Sequence, residues 1–161
     1  MSLDNPFRVT IGSYYLLLPK SADISAKVTQ PAPDAYQRAF TNWVIRLGRF
    51  QLFIHLDPLH DLSELKSSID CMTKGNVTTP SITVNDVQGV THGNYGPPRT
   101  WIDWWFKKGD VMICLCLQSV DFPFTKPTPA EIAEHKAIVE SLKYCRDFPS
   151  ELPPTPDKSR L

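Results

Sequence analysis

Residues with chemical potential gather in one stretch of this 161-residue chain. His92 and Tyr95 are followed by Arg99, Trp101, Asp103 and Trp105, then by Cys114 and Cys116. An arginine with two tryptophans and an aspartate makes a typical set of anchors for an interface or a ligand groove. Arg99 could stack on Trp101 or reach Asp103. In an enzyme, Arg99 would hold an anionic group while Asp103 and His92 served as acid or base. No Gly-x-Ser-x-Gly elbow occurs, and no cysteine stands in a protease context. The glycine-rich stretch 89–98 lacks the Gly-Lys-Ser/Thr ending of a phosphate loop. His55, His60, His92 and His135 form no pair with metal-site spacing, and the four cysteines match no zinc motif. The expectation is a chain with no catalytic residue, no metal and no cofactor.

The element that must position these residues is a hairpin from Arg99 to Leu117. A two-residue turn at Lys108-Gly109 would set Phe106 opposite Val111 and Trp104 opposite Ile113. Ile102, Trp104, Phe106, Val111, Ile113, Leu115 and Leu117 then form one apolar face, which must be core. The opposite face shows Arg99, Trp101, Asp103, Trp105, Met112, Cys114 and Cys116. Two readings of this mixed face stand side by side. Either it binds a partner, or a helix of the same domain covers it with Arg99 and Asp103 paired at the edge. Cys114 and Cys116 lie two residues apart on a strand, about 6.5 Å between Cα atoms, so they read as packed thiols. The stretch 89–98 reads as an irregular loop whose His92 and Tyr95 rim the mixed face.

The remaining elements follow from periodicity. Residues 7–18 read as one strand with a bend at Gly12, and Ile24, Ala26 and Val28 as a second. A short turn or helical piece is expected at 34–38. Residues 42–56 form a hairpin turning at Gly48-Arg49, with Trp43, Ile45, Leu47, Phe50, Leu52 and Ile54 on one face. Residues 61–74 read as a helix capped by Asp61, with Leu62, Leu65, Ile69 and Met72 as its apolar stripe and Gly75 as its stop. Residues 81–87 make a short strand. A second helix spans 129–144, opened by Thr128-Pro129-Ala130-Glu131 and buried along Ile132, His135, Ile138, Val139 and Leu142. The fold class is therefore α+β, with an antiparallel sheet of about six to seven strands and two main helices. One domain covers 1–148, and 149–161 is a proline-rich tail.

Totals narrow the function classes. Lys+Arg and Asp+Glu are both 17, so the formal net charge is zero. Nucleic-acid binders usually carry a basic excess, which speaks against that partner. No apolar stretch approaches the roughly 20 residues that span a bilayer, so no membrane is expected. The opening Met-Ser-Leu-Asp-Asn-Pro lacks a basic and then apolar leader, and the expected compartment is the cytoplasm.

The layout resembles the PsbP-like superfamily of small α+β domains. The resemblance is carried by a first strand ending in Leu18-Pro19, an early hairpin, a middle helix, a late pair of long strands and a closing helix with Ile-Val-Glu-Ser-Leu at 138–142. The segment 96–105 is not part of that pattern. The resemblance implies a non-catalytic scaffold that binds other proteins, and it carries over no functional residue. The expected function is a protein-binding or adaptor/chaperone-like domain. The alternative is a small-molecule site or enzyme around Arg99, Asp103 and His92, and a third possibility is a homodimer.

Overall fold

The computed structural model describes residues 3–30, 40–58, 60–73, 79–120 and 123–144. The expected features at 34–38, Gly75, Cys145 and the tail 149–161 lie outside the described residues. The fold is α+β, dominated by a seven-stranded antiparallel sheet beside a three-stranded one. In chain order the elements are β1 (Phe7–Ile11), β2 (Tyr14–Leu18), β3 (Asp23–Gln30), β4 (Phe40–Leu47), β5 (Phe50–Asp57), α1 (Leu62–Met72), β6 (Ser81–Val84), β7 (Val87–Asn94), β8 (Trp101–Lys108), β9 (Val111–Ser119), α2 (Pro129–Glu140) and β10 (Lys143–Tyr144). The large sheet runs β3-β4-β5-β9-β8-β7-β6, and the small one β1-β2-β10. Among the described residues no helix is long and apolar enough to cross a membrane.

The inner face of the large sheet is the core. Ile45, Leu47, Phe50, Leu52, Ile54, Ile102, Phe106, Ile113, Leu115 and Leu117 are all buried there. Phe7, Val9, Ile11, Leu16 and Leu18 of the small sheet join the same cluster, as do Ile138 and Val139 of α2. Alternation produces this, because every second residue of each strand turns to the same side.

Three local expectations about the strands need correction. Residues 7–18 are two strands, because Gly12 takes φ +59° and reverses the chain so that Ile11 pairs with Tyr14. The stretch 81–94 is a hairpin, not a strand and a loop. Asn85 (φ +46°) and Asp86 (φ +64°) both adopt the left-handed region that a tight two-residue turn needs. β7 then runs through Gly89 and Gly93, whose missing side chains admit the Phe106 ring and the Trp101 carbonyl. The late hairpin turns at Gly109-Asp110, pairing Lys108 with Val111 and Phe106 with Ile113. The pairing shifts by two residues from the expected one, an even number, so both faces survive.

Both helices are shorter than their patterns. Asp61 caps α1 by accepting from the Glu64 amide at 3.0 Å, but Met72 at the far end is 74% exposed. Thr128 and Glu131 form a reciprocal capping box on α2. Ile132 is exposed, and α2 stops at Glu140 because the Leu17 amide donates to Ser141 Oγ and Lys143–Tyr144 pair with β2. Tertiary pairing wins over helical periodicity there. Arg49, in the β4–β5 turn, grips Glu131 with two hydrogen bonds and donates to the Thr125 and Lys126 carbonyls. The hydrogen bond from Arg49 holds the Glu131 carboxyl down at about 2.

Candidate functional site

The outer face of the large sheet carries the candidate residues in lateral rows set by strand register. Phe53, Cys116, Asp103 and His92 form one row across β5, β9, β8 and β7. Gln51, Gln118, Trp101 and Asn94 form the row on one side of it. His55, Cys114, Trp105 and Val90 form the row on the other. Directly opposed residues on neighbouring strands have Cβ atoms about 5 Å apart, so each row is a contact row.

Trp101 is the most exposed large hydrophobic residue of this face, at 41%. Its indole Nε1 donates to Asp103 Oδ2 at 2.9 Å, and the Arg99 guanidinium lies over its ring at 4.7 Å. Trp101 and Asp103, two residues apart on β8, point the same way, and Arg99, just before the strand, folds over the indole. The indole is thereby held in one orientation while its ring meets solvent. Arg99 is exposed as well.

The domain's own helix covers one end of this face and leaves the other end open. α1 packs against β7 and β8. Lys107 Nζ reaches the His60 carbonyl just before that helix, at 3.4 Å. Ile69, Val90, Met112 and Cys114 are buried at this end, and Trp105 is half-buried. Trp101 and Asn94 stand exposed at the other end.

The protonation chemistry is that of a quiet surface. Burial pushes the Cys116 thiol up to about 12, with Asp103 adding to the rise against a hydrogen bond from Gln118. Burial also pushes the Cys114 thiol far up. Neither presents a thiolate at neutral pH, so neither is an activated nucleophile. Burial lowers the His55 pKa, while Asp57 and Asp103 act against that shift. Among the described residues no group of three or more His, Cys, Asp or Glu could hold a metal ion.

The structure joins five of the six expected site residues on one sheet face: His92, Arg99, Trp101, Asp103 and Trp105. His92 sits on β7 opposite Asp103, on a strand where a loop was expected. Tyr95 departs from them. It turns to the inner side, where its ring stacks on His135 of α2 at 5.8 Å and its hydroxyl bonds His135 Nδ1 at 2.9 Å. Three clefts lined by described residues lie away from Arg99, Asp103 and His92. The residues that sequence reasoning left out of the site are Phe53, Gln51 and Gln118. Gln118 joins it through the β8–β9 hairpin, and Gln51 and Phe53 through the β5–β9 pairing, which no local pattern announces.

Compared with known proteins, the chain matches no family model, no curated protein and no solved structure.

Proposed function

We propose that this chain is a non-catalytic protein-binding domain of the adaptor or chaperone-like kind, whose partner is another cytoplasmic protein seated on the open end of the outer face. One observation carries the reading: Trp101 presents its ring to solvent while Asp103 and Arg99 hold it still. A preoriented aromatic loses little conformational entropy on binding and buries a large apolar area, the usual make-up of an interface anchor. The high thiol pKa values beside it speak against nucleophilic catalysis. The likeness of the layout to PsbP-like domains fits the same role.

The test is affinity purification of the tagged chain beside its Trp101→Ala variant from the parent cell. A specific co-purifying protein that is lost with the variant supports the reading. The opposed pair His92 and Asp103 favours a second reading, a small-molecule site with Arg99 as anion holder. A bound metabolite and no bound protein would move the assignment there.

A further inference from the structure

The β6 border of the large sheet carries a different opportunity. β6 is its last strand, a four-residue run of Ser81, Ile82, Thr83 and Val84. The Asn85-Asp86 turn pairs Val84 with Val87, and the Thr91 amide donates to the Pro80 carbonyl at 3.1 Å. Antiparallel alternation then turns the N–H and C=O groups of Pro80's carbonyl, Ile82 and Val84 toward β7, and those of Ser81 and Thr83 outward. Among the described residues nothing pairs with the outward groups, and Ser81 and Thr83 are exposed. The strand carries neither a charge nor an internal proline to shield its edge.

Beside this edge α1 stands off from the sheet and leaves a groove. Leu62, Ser63 and Lys66 line it from the helix, and Ser81, Thr83, Gln88 and Val90 from the sheet. It encloses about 660 Å³, counting the solvent at its mouth. Lys66 has no acidic partner among the described residues.

We propose that β6 and the groove beneath α1 receive an extended peptide, which adds to the sheet as an eighth strand. Its backbone would satisfy the outward N–H and C=O groups of Ser81 and Thr83. Its residues opposite Ser81 and Thr83 project to the α1 side, because paired residues share a face. An apolar side chain there faces Leu62, and an acidic one in the same phase faces Lys66. The occupant is a peptide and not a second copy of this chain because the edge is short. Four residues span about 13 Å, too short an edge to seat by itself the roughly 1,200–2,000 Å² that a stable dimer buries. This site is separate from the Trp101 surface, so either can fail without the other.

The probe is a phage-displayed library of random dodecapeptides panned on the full chain. Thr83→Pro removes the outward amide at an edge position, where proline is compatible with a strand. Enriched peptides are expected to alternate apolar with polar residues and to carry an acid. Thr83→Pro should lower their capture at least tenfold, Lys66→Glu about fivefold, and Trp101→Ala less than twofold. The Ser81 and Thr83 amides should gain at least tenfold protection from hydrogen exchange on binding. Should Thr83→Pro melt far below the parent, N-methylation of an enriched peptide decides instead. Strand addition requires that methylation at alternate residues abolish binding in one phase only. No enrichment over an unrelated domain overturns the proposal. So does equal capture by a folded Thr83→Pro variant, protection outside β6, or dimerisation that Thr83→Pro abolishes.

Discussion

Tyr95 and His135 are stacked nearly parallel, with 12° between their rings, and share a hydrogen bond of 2.9 Å. Phe50 meets the same imidazole edge-on at 4.6 Å. This packing ties the end of β7 to α2 across the inner face. It places a titratable ring in the core, where burial lowers its pKa to about 4.

That shift sets a pH dependence. An unfolded histidine titrates near 6.5, so between pH 6.5 and 4 the unfolded chain binds a proton that the folded chain refuses. Stability from this group is full above pH 6.5 and is lost as pH falls toward 4, by about 3 kcal/mol at most. His55, also lowered by burial, adds to the slope in the same direction. Urea midpoints measured from pH 7.5 to 4 should fall steeply for the parent chain. His135→Gln should be less stable at pH 7.5 and visibly flatter across that range.

Arg49 fastens the β4–β5 turn to the start of α2 through Glu131 and two carbonyls. Both side chains of the ion pair are about three-quarters buried. Arg49→Ala should cost about 2 kcal/mol in urea unfolding. Arg49→Lys should recover less than half of that, since an ammonium cannot reproduce the two-pronged grip. An Arg49→Lys variant as stable as the parent would contradict the geometry.

Gly93 and Gly48 both have positive φ, yet a methyl group would fare differently at each. A Cβ on Gly93 would lie 2.0 Å from the Trp101 carbonyl oxygen, whereas one on Gly48 meets nothing within 4 Å. Gly48→Ala should cost about 1 kcal/mol, for the backbone alone. Gly93→Ala should cost at least about 3 kcal/mol, because two backbones must part. Amide exchange in that variant should rise first on β7 and β8.

Thiol labelling offers a check on the quiet face. Cys71 is exposed on α1, whereas Cys114 is buried and Cys116 half-buried with protonated thiols. At pH 8 an aromatic disulfide reagent should label Cys71 at least 100-fold faster than Cys116. Mass mapping of the labelled peptides reads this directly. Rapid labelling of Cys116 would reopen nucleophilic chemistry beside Asp103.

Trp101 and the buried Trp43 should separate in fluorescence. Trp101→Phe should move the emission of the folded chain to shorter wavelength and reduce quenching by acrylamide. Its unfolding free energy in urea should stay within about 0.5 kcal/mol of the parent, as for other surface substitutions.

Strand alternation made much of this architecture legible in the sequence. The core face from Trp43 to Ile54 and the mixed face around Asp103 are both period-two patterns; the first pairs as its turn predicts, and a two-residue shift in the pairing of the late hairpin leaves the second intact. The hairpin at 81–94 was hidden because its turn uses Asn85 and Asp86 in place of glycine, while its glycines sit inside a strand for packing reasons. Tyr95 is misplaced for the same reason: it follows directly on the last residue of β7, Asn94, and turns to the opposite, inner side, onto His135. The end of α2 was illegible because Ser141 and Tyr144 answer to β2, more than 100 residues away in sequence.

The large sheet consists of two ribbons, β3 to β5 and β6 to β9, each of which pairs only sequential neighbours until β5 meets β9. That meeting is a single seam from Phe50–Ser119 to Asp57–Met112. Everything near Trp101 that comes from the first ribbon arrives only when the seam closes. The late ribbon can set Trp101 and Asp103 between Gln118, Cys116, Asn94 and His92, but the far side of the surface, Gln51, Phe53 and His55, belongs to the other ribbon. The proposed binding face is therefore complete only in the finished fold: a half-made chain carries the anchor but lacks the β5 side of the surface.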